Sequence, residues 1–418
     1  MQTPQSKLTR RDVLKTAGAA SLAGTAMLNA PHLIRAQESI TLTWWDYYPA
    51  GNANFIAMEN QHKRYMESHP NVKIERTVVP FGDLKQKLLQ GASAGELPDV
   101  AVIDNPDHQA FAALGVLTDL TERVTAWGQT SAYFKGPWDS TVYQGKNYGV
   151  PDNSNCLVLW YNADIAGAEF TPPATWDDLT AAVASLTEGS RYGLAVSGIK
   201  TEEDAFQWLP FLWETGEDIP TIDSEGGRAA LQLWVDYVAN GYMSEGILGW
   251  TQGDVLGQFQ NGNAAMMING PWQIPVLKTD SPDLKWNVSV LPKQTQAASI
   301  LGGENYSITT ASKNVDAAWE FLTWSQEPEN LKTYLSEAGK LPSRADLADD
   351  PIWTGDPVLA VFIEQLKVAK PRAYGEHYPE ISNAIQEAMQ AAVSGQTDVT
   401  SALAKAQETI TPLLPPST

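Results

Sequence analysis

Four aromatic residues surround one carboxylate near residue 45 of this 418-residue chain. Trp44, Trp45, Tyr47 and Tyr48 flank Asp46, so flat apolar rings and a hydrogen-bond acceptor occur within five positions. Such rings pack against the C–H face of a polyhydroxylated ligand, while a carboxylate accepts hydrogen bonds from its hydroxyls. The chain also holds more Trp (15) than Tyr (14) or Phe (10), which favours a role for large rings beyond core packing. Because side chains alternate along a strand, at least one of Trp44 and Trp45 is expected in the core.

Sequence patterns that mark common catalytic and metal sites are absent. The chain has no H-E-x-x-H, C-x-x-C, P-loop or G-x-G-x-x-G pattern, and its five His residues lie far apart. Residues 91–95 fit G-x-S-x-G, but a predicted helix precedes them and a strand follows, the reverse of a nucleophile elbow. Lone Cys156 excludes an internal disulfide framework and a multi-Cys zinc site. Neither a metal nor a cofactor is expected.

Predicted strands and helices alternate along the chain, which positions these polar residues at strand ends. Strands are predicted at 39–45, 71–79, 97–104, 156–161, 193–196, 264–268, 286–290 and 306–308. Helices are predicted at 54–68, 83–90, 175–186, 204–213, 225–239, 253–260, 315–325, 329–338, 358–369, 378–393 and 399–411, with Gly91 ending the second. Apolar strands between helices are typical of an α/β fold with a parallel sheet. Ligands of such sheets bind beyond the carboxyl ends of strands, where Asp46 and Asp104 stand.

Residues 1–36 have the composition of a twin-arginine export signal. Arg10 and Arg11 precede an apolar stretch that is too short to span a bilayer, and Ala36 marks the expected cleavage point. The segment carries a net charge of +4, which leaves −25 for the rest of a chain whose total is −21. The remaining chain is expected to be soluble and periplasmic. So acidic a protein is not expected to bind nucleic acid, which requires clustered Lys and Arg.

Several ordered motifs after the signal resemble one protein family. They are Leu97-Pro98-Asp99-Val100, Gly149-Val150-Pro151, Leu159-Trp160-Tyr161-Asn162, Thr175-Trp176-Asp177-Asp178-Leu179, Asn269-Gly270-Pro271-Trp272, Leu301-Gly302-Gly303-Glu304, Leu341-Pro342-Ser343-Arg344 and Pro371-Arg372-Ala373-Tyr374. In the fourth motif, Thr175 with Asp178 three positions later is close to a helix capping box. Together the motifs make the chain similar to the family 1 extracellular solute-binding proteins of ABC sugar importers, which include maltose-binding protein.

The resemblance implies a two-lobed periplasmic binding protein fold of the α/β class, with three crossings at the hinge and the ligand in the inter-lobe cleft. It places the first lobe at 38–151 plus 303–328 and the second at 152–302 plus 329–418. Hinge closure around the ligand is the expected motion. The expected function is binding of a mono- or oligosaccharide and its delivery to the transmembrane permease subunits of an ABC importer, by a monomer without enzymatic activity.

The resemblance also assigns ligand contacts. They are Trp45, Asp46, Asp104, Asn155, Trp208, Trp213, Trp272, Gly302, Gly303, Glu304, Arg344 and Arg372. Trp208 and Trp213 lie about 140° apart around a helix, so one of them is expected in the core. Trp272 is expected to stack on the ligand, and the glycine pair to let the backbone approach it closely.

Two alternative functions remain open from the residues alone. Arg344 and Arg372 could serve an anionic sugar, a glycerol phosphodiester or a sulfonate, which needs clustered donors. A secreted carbohydrate hydrolase would need a pair of carboxylates, and Asp104 with Glu304 are the residues to test. The dense Trp and Asp pattern favours neutral sugars over both alternatives.

Overall fold

The computed structural model describes residues 39–415, so the signal predicted at 1–36 lies outside the described residues. Within this range the strands are β1 (Ile40–Asp46), β2 (Val72–Val78), β3 (Val100–Asp104), β4 (Val142–Tyr143), β5 (Lys146–Asn147), β6 (Val150–Pro151), β7 (Val158–Asn162), β8 (Tyr192–Ala195), β9 (Ala264–Asn269), β10 (Trp286–Ser289), β11 (Ser299–Leu301), β12 (Glu304–Ile308) and β13 (Ala369–Pro371). The α-helices are α1 (Ala53–Ser68), α2 (Phe81–Ala94), α3 (His108–Ala113), α4 (Thr121–Trp127), α5 (Lys135–Ser140), α6 (Ala163–Ala166), α7 (Trp176–Leu186), α8 (Glu202–Glu214), α9 (Glu225–Ala239), α10 (Gln252–Gln260), α11 (Gln273–Asp280), α12 (Val315–Ser325), α13 (Pro328–Ala338), α14 (Pro351–Thr354), α15 (Pro357–Leu366), α16 (Tyr378–Val393) and α17 (Val399–Ile410).

Two mixed sheets form the centres of two lobes. The first has the strand order β2-β1-β3-β12-β6, with β1 parallel to β2 and β3 and with β12 antiparallel to β3 and β6. The second has the order β10-β7-β9-β8, in which only the β8–β9 pair is parallel. The expected parallel arrangement therefore holds for β1, β2 and β3 and for the β8–β9 pair, while β12, which returns from the second lobe, runs antiparallel to both of its neighbours.

Strand alternation divides the first sheet between two cores. Trp44 is buried and contacts His62, Tyr306 and Phe321 edge-on, with ring centroids 4.7, 5.0 and 5.1 Å away. Trp45 points to the other face and packs beside the apolar cluster under α2. The expectation that one of the two Trp residues belongs to the core is confirmed.

Three chain segments cross between the lobes side by side. In the first crossing, the backbone N–H of Ser154 donates to the carbonyl of Leu341 in the third (2.8 Å), and Leu341 returns a bond of 3.1 Å. The backbone groups of Asn155 and Gly302, in the first and second crossings, exchange bonds of 3.1 and 2.9 Å. These bonds join the three crossings into one narrow hinge ribbon at the base of the cleft.

Several helix bounds differ from the sequence prediction for local reasons. Helix α2 runs past Gly91 to Ala94, and Gly95 ends it with a left-handed φ of 74°. Helix α11 was not predicted, because its first residues follow the Gly-Pro-Trp segment that resembled a loop. Helix α13 packs on α1 of the first lobe, and Arg64 bonds Glu337 at 2.8 Å between these helices. The residue bounds of the lobes themselves stay a prediction.

Candidate ligand-binding cleft

A cavity of about 780 Å³ lies between the lobes and over the hinge crossings. Its volume is in the range of sites for small organic ligands. The first lobe contributes Tyr47, Tyr48, Asn54, Phe81 and Asp104; the crossings contribute Asn155, Gly302, Gly303, Glu304 and Lys340; and the second lobe contributes Glu202, Phe206, Gln252, Trp272 and Arg372.

Aromatic rings line both sides of this cavity. On the first lobe, Tyr47 contacts Phe81 edge-on at 4.9 Å between centroids. On the second lobe, Trp272 and Phe206 stand 6.3 Å apart with ring planes tilted by 47°. Trp272 precedes α11 and folds its ring over Gly270, where an added Cβ would lie 1.9 Å from the ring. The Gly-Pro-Trp segment therefore fixes the tryptophan at the cleft wall.

Glu304 and Lys340 form a buried ion pair at the base of the cleft. The Lys340 ammonium donates to Glu304 Oε2 (2.9 Å) and to the hydroxyl of Tyr48 (2.6 Å). The Tyr47 hydroxyl donates to Glu304 Oε1 (2.6 Å), and the Asn153 amide donates to Oε2. Burial alone would raise the pKa of Glu304, but Lys340 and these donors hold it below its ordinary value. Glu304 is therefore ionised and fully engaged by protein groups.

Arg372 connects the two lobes across the cleft. Its guanidinium lies 2.5 Å from Glu202 Oε1 on the second lobe, 3.4 Å from both oxygens of Asp104 and 3.2 Å from Asn105 Oδ1 on the first. It also lies 4.8 Å from the centroid of the Phe206 ring. Burial raises the pKa of Asp104 to about 7, with Arg372 opposing the rise and Glu202 adding to it. Closing the lobes thus gathers two carboxylates around one cation.

Two of the amide side chains that line the cleft offer hydrogen-bond acceptors that have no protein donor among the described residues. Asn155, in the first crossing, and Asn54, on α1, are both buried, and the Oδ1 atom of each lacks a protein donor. Asn54 uses its Nδ2 to donate to the backbone carbonyl of Trp272 across the cleft (3.2 Å). A buried acceptor without a donor is costly, so both oxygens are suited to bond a ligand hydroxyl.

Comparison with known proteins identifies the family of this chain. Residues 60–361 match the family model described as bacterial extracellular solute-binding protein. The chain belongs to this family. The match covers more than half of the chain and includes parts of both lobes and all three crossings.

Two of the relatives of this solute-binding protein are named for sugars. It is 25% identical to a galactooligosaccharide-binding protein of Bacillus subtilis, over 82% of this chain and 83% of the relative. It is 26% identical to a maltooligosaccharide ABC transporter solute-binding lipoprotein of Streptococcus pneumoniae, over 85% of each chain. An ABC transporter solute-binding protein of Thermotoga lettingae, solved with alpha-D-tagatose, superposes with a TM-score of 0.84 at 27% identity, over 90% of this chain and all of that one.

The solute-binding protein places seven of the expected ligand contacts at the cleft. They are Asp104, Asn155, Trp272, Gly302, Gly303, Glu304 and Arg372. The glycine pair serves the hinge as well as the cleft, because an added Cβ would lie 2.1 Å from Asn155 Oδ1 at Gly302 and 2.2 Å from the Asn153 carbonyl at Gly303. Close packing of neighbouring crossings, and not only approach of a ligand, therefore requires glycine here.

The other five expected contacts do not line this cavity. Trp208 and Trp213 are both fully buried in the core of the second lobe, although only one was expected there, because α8 is packed on all sides. Asp46 accepts a bidentate pair from Arg76 at 2.6 and 2.8 Å beneath the sheet edge.

Trp45 and Arg344, the other two expected contacts outside the cavity, pack against or bond other parts of the protein. Trp45 lies under the ammonium of Lys87, 4.7 Å from the ring centroid, on the far face of the first sheet. Arg344 donates to both oxygens of Asp346 (3.0 and 2.7 Å) and to the carbonyl of Gln326 (2.9 Å).

Some cleft residues were not selected from the sequence. Tyr47 and Tyr48 belong to the aromatic cluster around Asp46, but only their neighbour Trp45 was expected to contact the ligand. Lys340 directly precedes the Leu341 motif, so its place beside a hinge crossing was available as a signal. Glu202 and Phe206 had no signal, because the sequence does not show which face of α8 meets the other lobe.

Two further observations concern metal binding and membrane insertion. Within residues 39–415, no group of three or more His, Cys, Asp or Glu side chains is arranged to hold a metal ion. No helix among the described residues has the length and apolar character needed to cross a membrane.

Proposed function

We propose that this protein binds an extracellular carbohydrate, either a mono- or an oligosaccharide, and delivers it to an ABC import permease. The observation that carries the proposal is the cleft itself, in which five aromatic rings and two unpartnered amide oxygens line one cavity. Rings suit the C–H faces of a sugar and the amide oxygens suit its hydroxyls. The sugar-binding names of the relatives support the same assignment.

Hinge closure is the proposed means of delivery. The contacts from Asn54 to Trp272 and from Arg372 to Asp104 both join the lobes, and both would break if the lobes opened at the crossings. A ligand that contacts both lobes therefore favours the closed state in proportion to its additional contacts there. The permease subunits would then engage the closed, loaded form.

An anionic ligand is less compatible with the cleft than a neutral one. Lys340 and Arg372 are the cations among the residues that line it, and both are already bonded to carboxylates. Arg344 does not line the cavity. An added phosphate or sulfonate would have to compete with buried carboxylates for these donors.

Enzymatic hydrolysis is not part of the proposed function. A glycosidase needs two carboxyl groups that are free to act on substrate. Asp104 has a raised pKa, but Glu304 is bonded by Lys340, Tyr47 and Asn153 and its pKa is lowered. Incubation with a bound saccharide should release no new reducing ends; steady release would contradict this part of the proposal.

A thermal-shift screen over mono-, di- and oligosaccharides, followed by calorimetry, tests the proposal. A ligand at one hundred times its Kd stabilises the protein by about 2.7 kcal/mol. Replacement Trp272→Ala should weaken binding at least about fivefold, since a stacked ring contributes about 1 kcal/mol beyond its buried area. The matched control Trp45→Ala, outside the cavity, should leave affinity unchanged. A broad panel without any shift, or equal losses in both variants, would refute the assignment.

The remaining parts of the proposal concern the cell. We propose twin-arginine export directed by residues 1–36, a periplasmic location and a monomer that needs no cofactor or nucleic acid. Joint replacement Arg10→Lys with Arg11→Lys should retain the protein in the cytoplasm, whereas Arg35→Lys should not. Unchanged export of the double variant would contradict the twin-arginine route.

A further inference from the structure

The residues that line the cleft include more acids than cations. Among its lining residues within 39–415, the acids are Asp104, Glu202, Glu203 and Glu304, and the cations are Lys340 and Arg372. An excess of carboxylates in a partly buried cavity favours a cationic partner, because charge pairs are screened less there than at the surface.

Both cations that line the cleft are already paired with carboxylates of the protein. Lys340 is bonded to Glu304 at 2.9 Å, and Arg372 makes its shortest contact, 2.5 Å, with Glu202. Glu202 receives a further bond from the Tyr378 hydroxyl (2.7 Å). Glu203 accepts from the backbone N–H of Gln252 and from Ser197 at the rim of the cavity. These three acids are therefore compensated by protein donors.

Asp104 is the carboxylate that remains incompletely compensated. Its nearest cation is shared with Glu202 and lies 3.4 Å away, beyond the usual length of a charge-assisted bond. The groups around it are Arg372 after β13, Glu202 on α8, Asp107 after β3, Glu304 and Tyr47 at the cleft, Lys85 on α2 and Tyr378 on α16. Of these, Lys85 is itself paired with Asp107 at 2.8 Å.

The aromatic walls of the cleft also accommodate cations. The Lys340 ammonium lies 4.2 Å from the centroid of the Tyr48 ring, and the Arg372 guanidinium lies 4.8 Å from that of Phe206. Each contact is in the range of a favourable cation–π interaction. Tyr47 and Trp272 present further rings to the same cavity.

We propose that the saccharide preferred by this cleft carries a basic nitrogen, which binds as an ammonium group beside Asp104. This inference rests on the proposed carbohydrate-binding function and names the ligand class within it. An ammonium group donates to the carboxylate and relieves the local excess of negative charge, whereas a hydroxyl supplies only the hydrogen bond. A carboxylate at the same place would add to the repulsion.

The test compares matched ligands built on one scaffold. A neutral saccharide that binds in the thermal-shift screen is the parent, and derivatives replace single hydroxyls by an amine or a carboxylate. Calorimetry at pH 7 should give at least one amine that binds about tenfold more tightly than the parent, and carboxylates that all bind more weakly. Asp104→Asn should remove the gain of that amine, while Asp139→Asn on the exposed helix α5 should not.

A second measurement follows the affinity of the unaltered protein for the amine as a function of pH, so the test does not depend on a variant that could misfold. For a derivative whose amine stands on an exocyclic carbon, the gain should grow from pH 5.5 to 7.5, because a carboxyl with a pKa of about 7 loses its proton over this range while such an amine stays mostly charged. No amine better than the parent, or a gain that Asp104→Asn and pH leave unchanged, would overturn the proposal. If neither neutral saccharides nor their amino derivatives bind, the carbohydrate function fails, and the inference that rests on it fails with it.

Discussion

Replacement Lys340→Met should destabilise this protein strongly at neutral pH. Met replaces the unbranched four-atom stem of Lys and removes the cation from an ion pair whose side chains are 2% (Lys340) and 10% (Glu304) exposed. Breaking such a buried pair costs about 3–5 kcal/mol, because the remaining carboxylate keeps its hydrogen bonds from Tyr47 and Asn153 but loses its opposite charge. Control Lys405→Met, at an exposed site, should change the free energy of unfolding by less than about 0.5 kcal/mol.

The free energy of unfolding lost in Lys340→Met should also depend on pH. In the unaltered protein Glu304 has a lowered pKa, so it stabilises the fold above its unfolded pKa and loses that effect as pH falls through the folded value. Without Lys340, burial should raise the pKa of Glu304 above the unfolded value. The free energy lost in the variant should then be largest at pH 7 and shrink towards pH 4, where the carboxyl is mostly protonated in both the folded and the unfolded variant.

Urea unfolding of the single variant and of Lys340→Met combined with Glu304→Gln measures these effects. The double variant has no buried unpaired charge, so it should recover about half or more of the loss seen in the single variant. A loss below 1 kcal/mol in the single variant, a deficit that is constant from pH 7 to 4, or a double variant as unstable as the single would each refute the account of the hinge pair.

Two further predictions concern the hinge and the inter-lobe contact. Gly303→Ala should cost at least about 2 kcal/mol in unfolding experiments, because φ is +142° and the new Cβ would lie 2.2 Å from the Asn153 carbonyl; Gly257→Ala, with open space around it, should cost nothing. Arg372→Lys should weaken sugar binding about tenfold and reduce ligand-induced compaction in small-angle scattering, because Lys cannot bond Glu202 and Asp104 as a planar fork. Equal stability of the two glycine variants, or full affinity of the lysine variant, would count against these explanations.

Local sequence signals predicted much of the fold. The strands at the core of both sheets were placed to within a few residues, because apolar runs bounded by polar residues are typical of buried strands. Thr175 and Asp178 form the expected capping box at the start of α7. The resemblance placed two crossings at 151/152 and 302/303, beside Asn155 and Gly302, whose backbones bond each other. It placed the third at 328/329, whereas the segment that bonds Ser154 contains Leu341.

Local sequence signals did not predict which tryptophans of α8 lie in the core. Helical spacing separates a buried face from an exposed one, but Glu202 and every residue from Asp204 to Glu214 in this helix are buried. No face of the helix is left to solvent, so periodicity could not tell a core ring from a ligand-facing one. The residues of α8 that reach the cleft are Glu202 and Phe206, near its N-terminal end, whereas Trp208 and Trp213 lie in the core of the second lobe.

For a related reason Glu202 could not be chosen from 49 acidic residues, and Asp104 and Glu304 were assigned to the cleft only through the family resemblance. Asp104, Glu202 and Glu304 come from the end of β3, the start of α8 and the start of β12, and they share an environment only where the lobes meet. The overall negative charge of the chain does not determine the ligand, because exposed charges are screened over about 8–10 Å. Selectivity for charge depends instead on Asp104, because it lines the cavity and its nearest cation already serves Glu202.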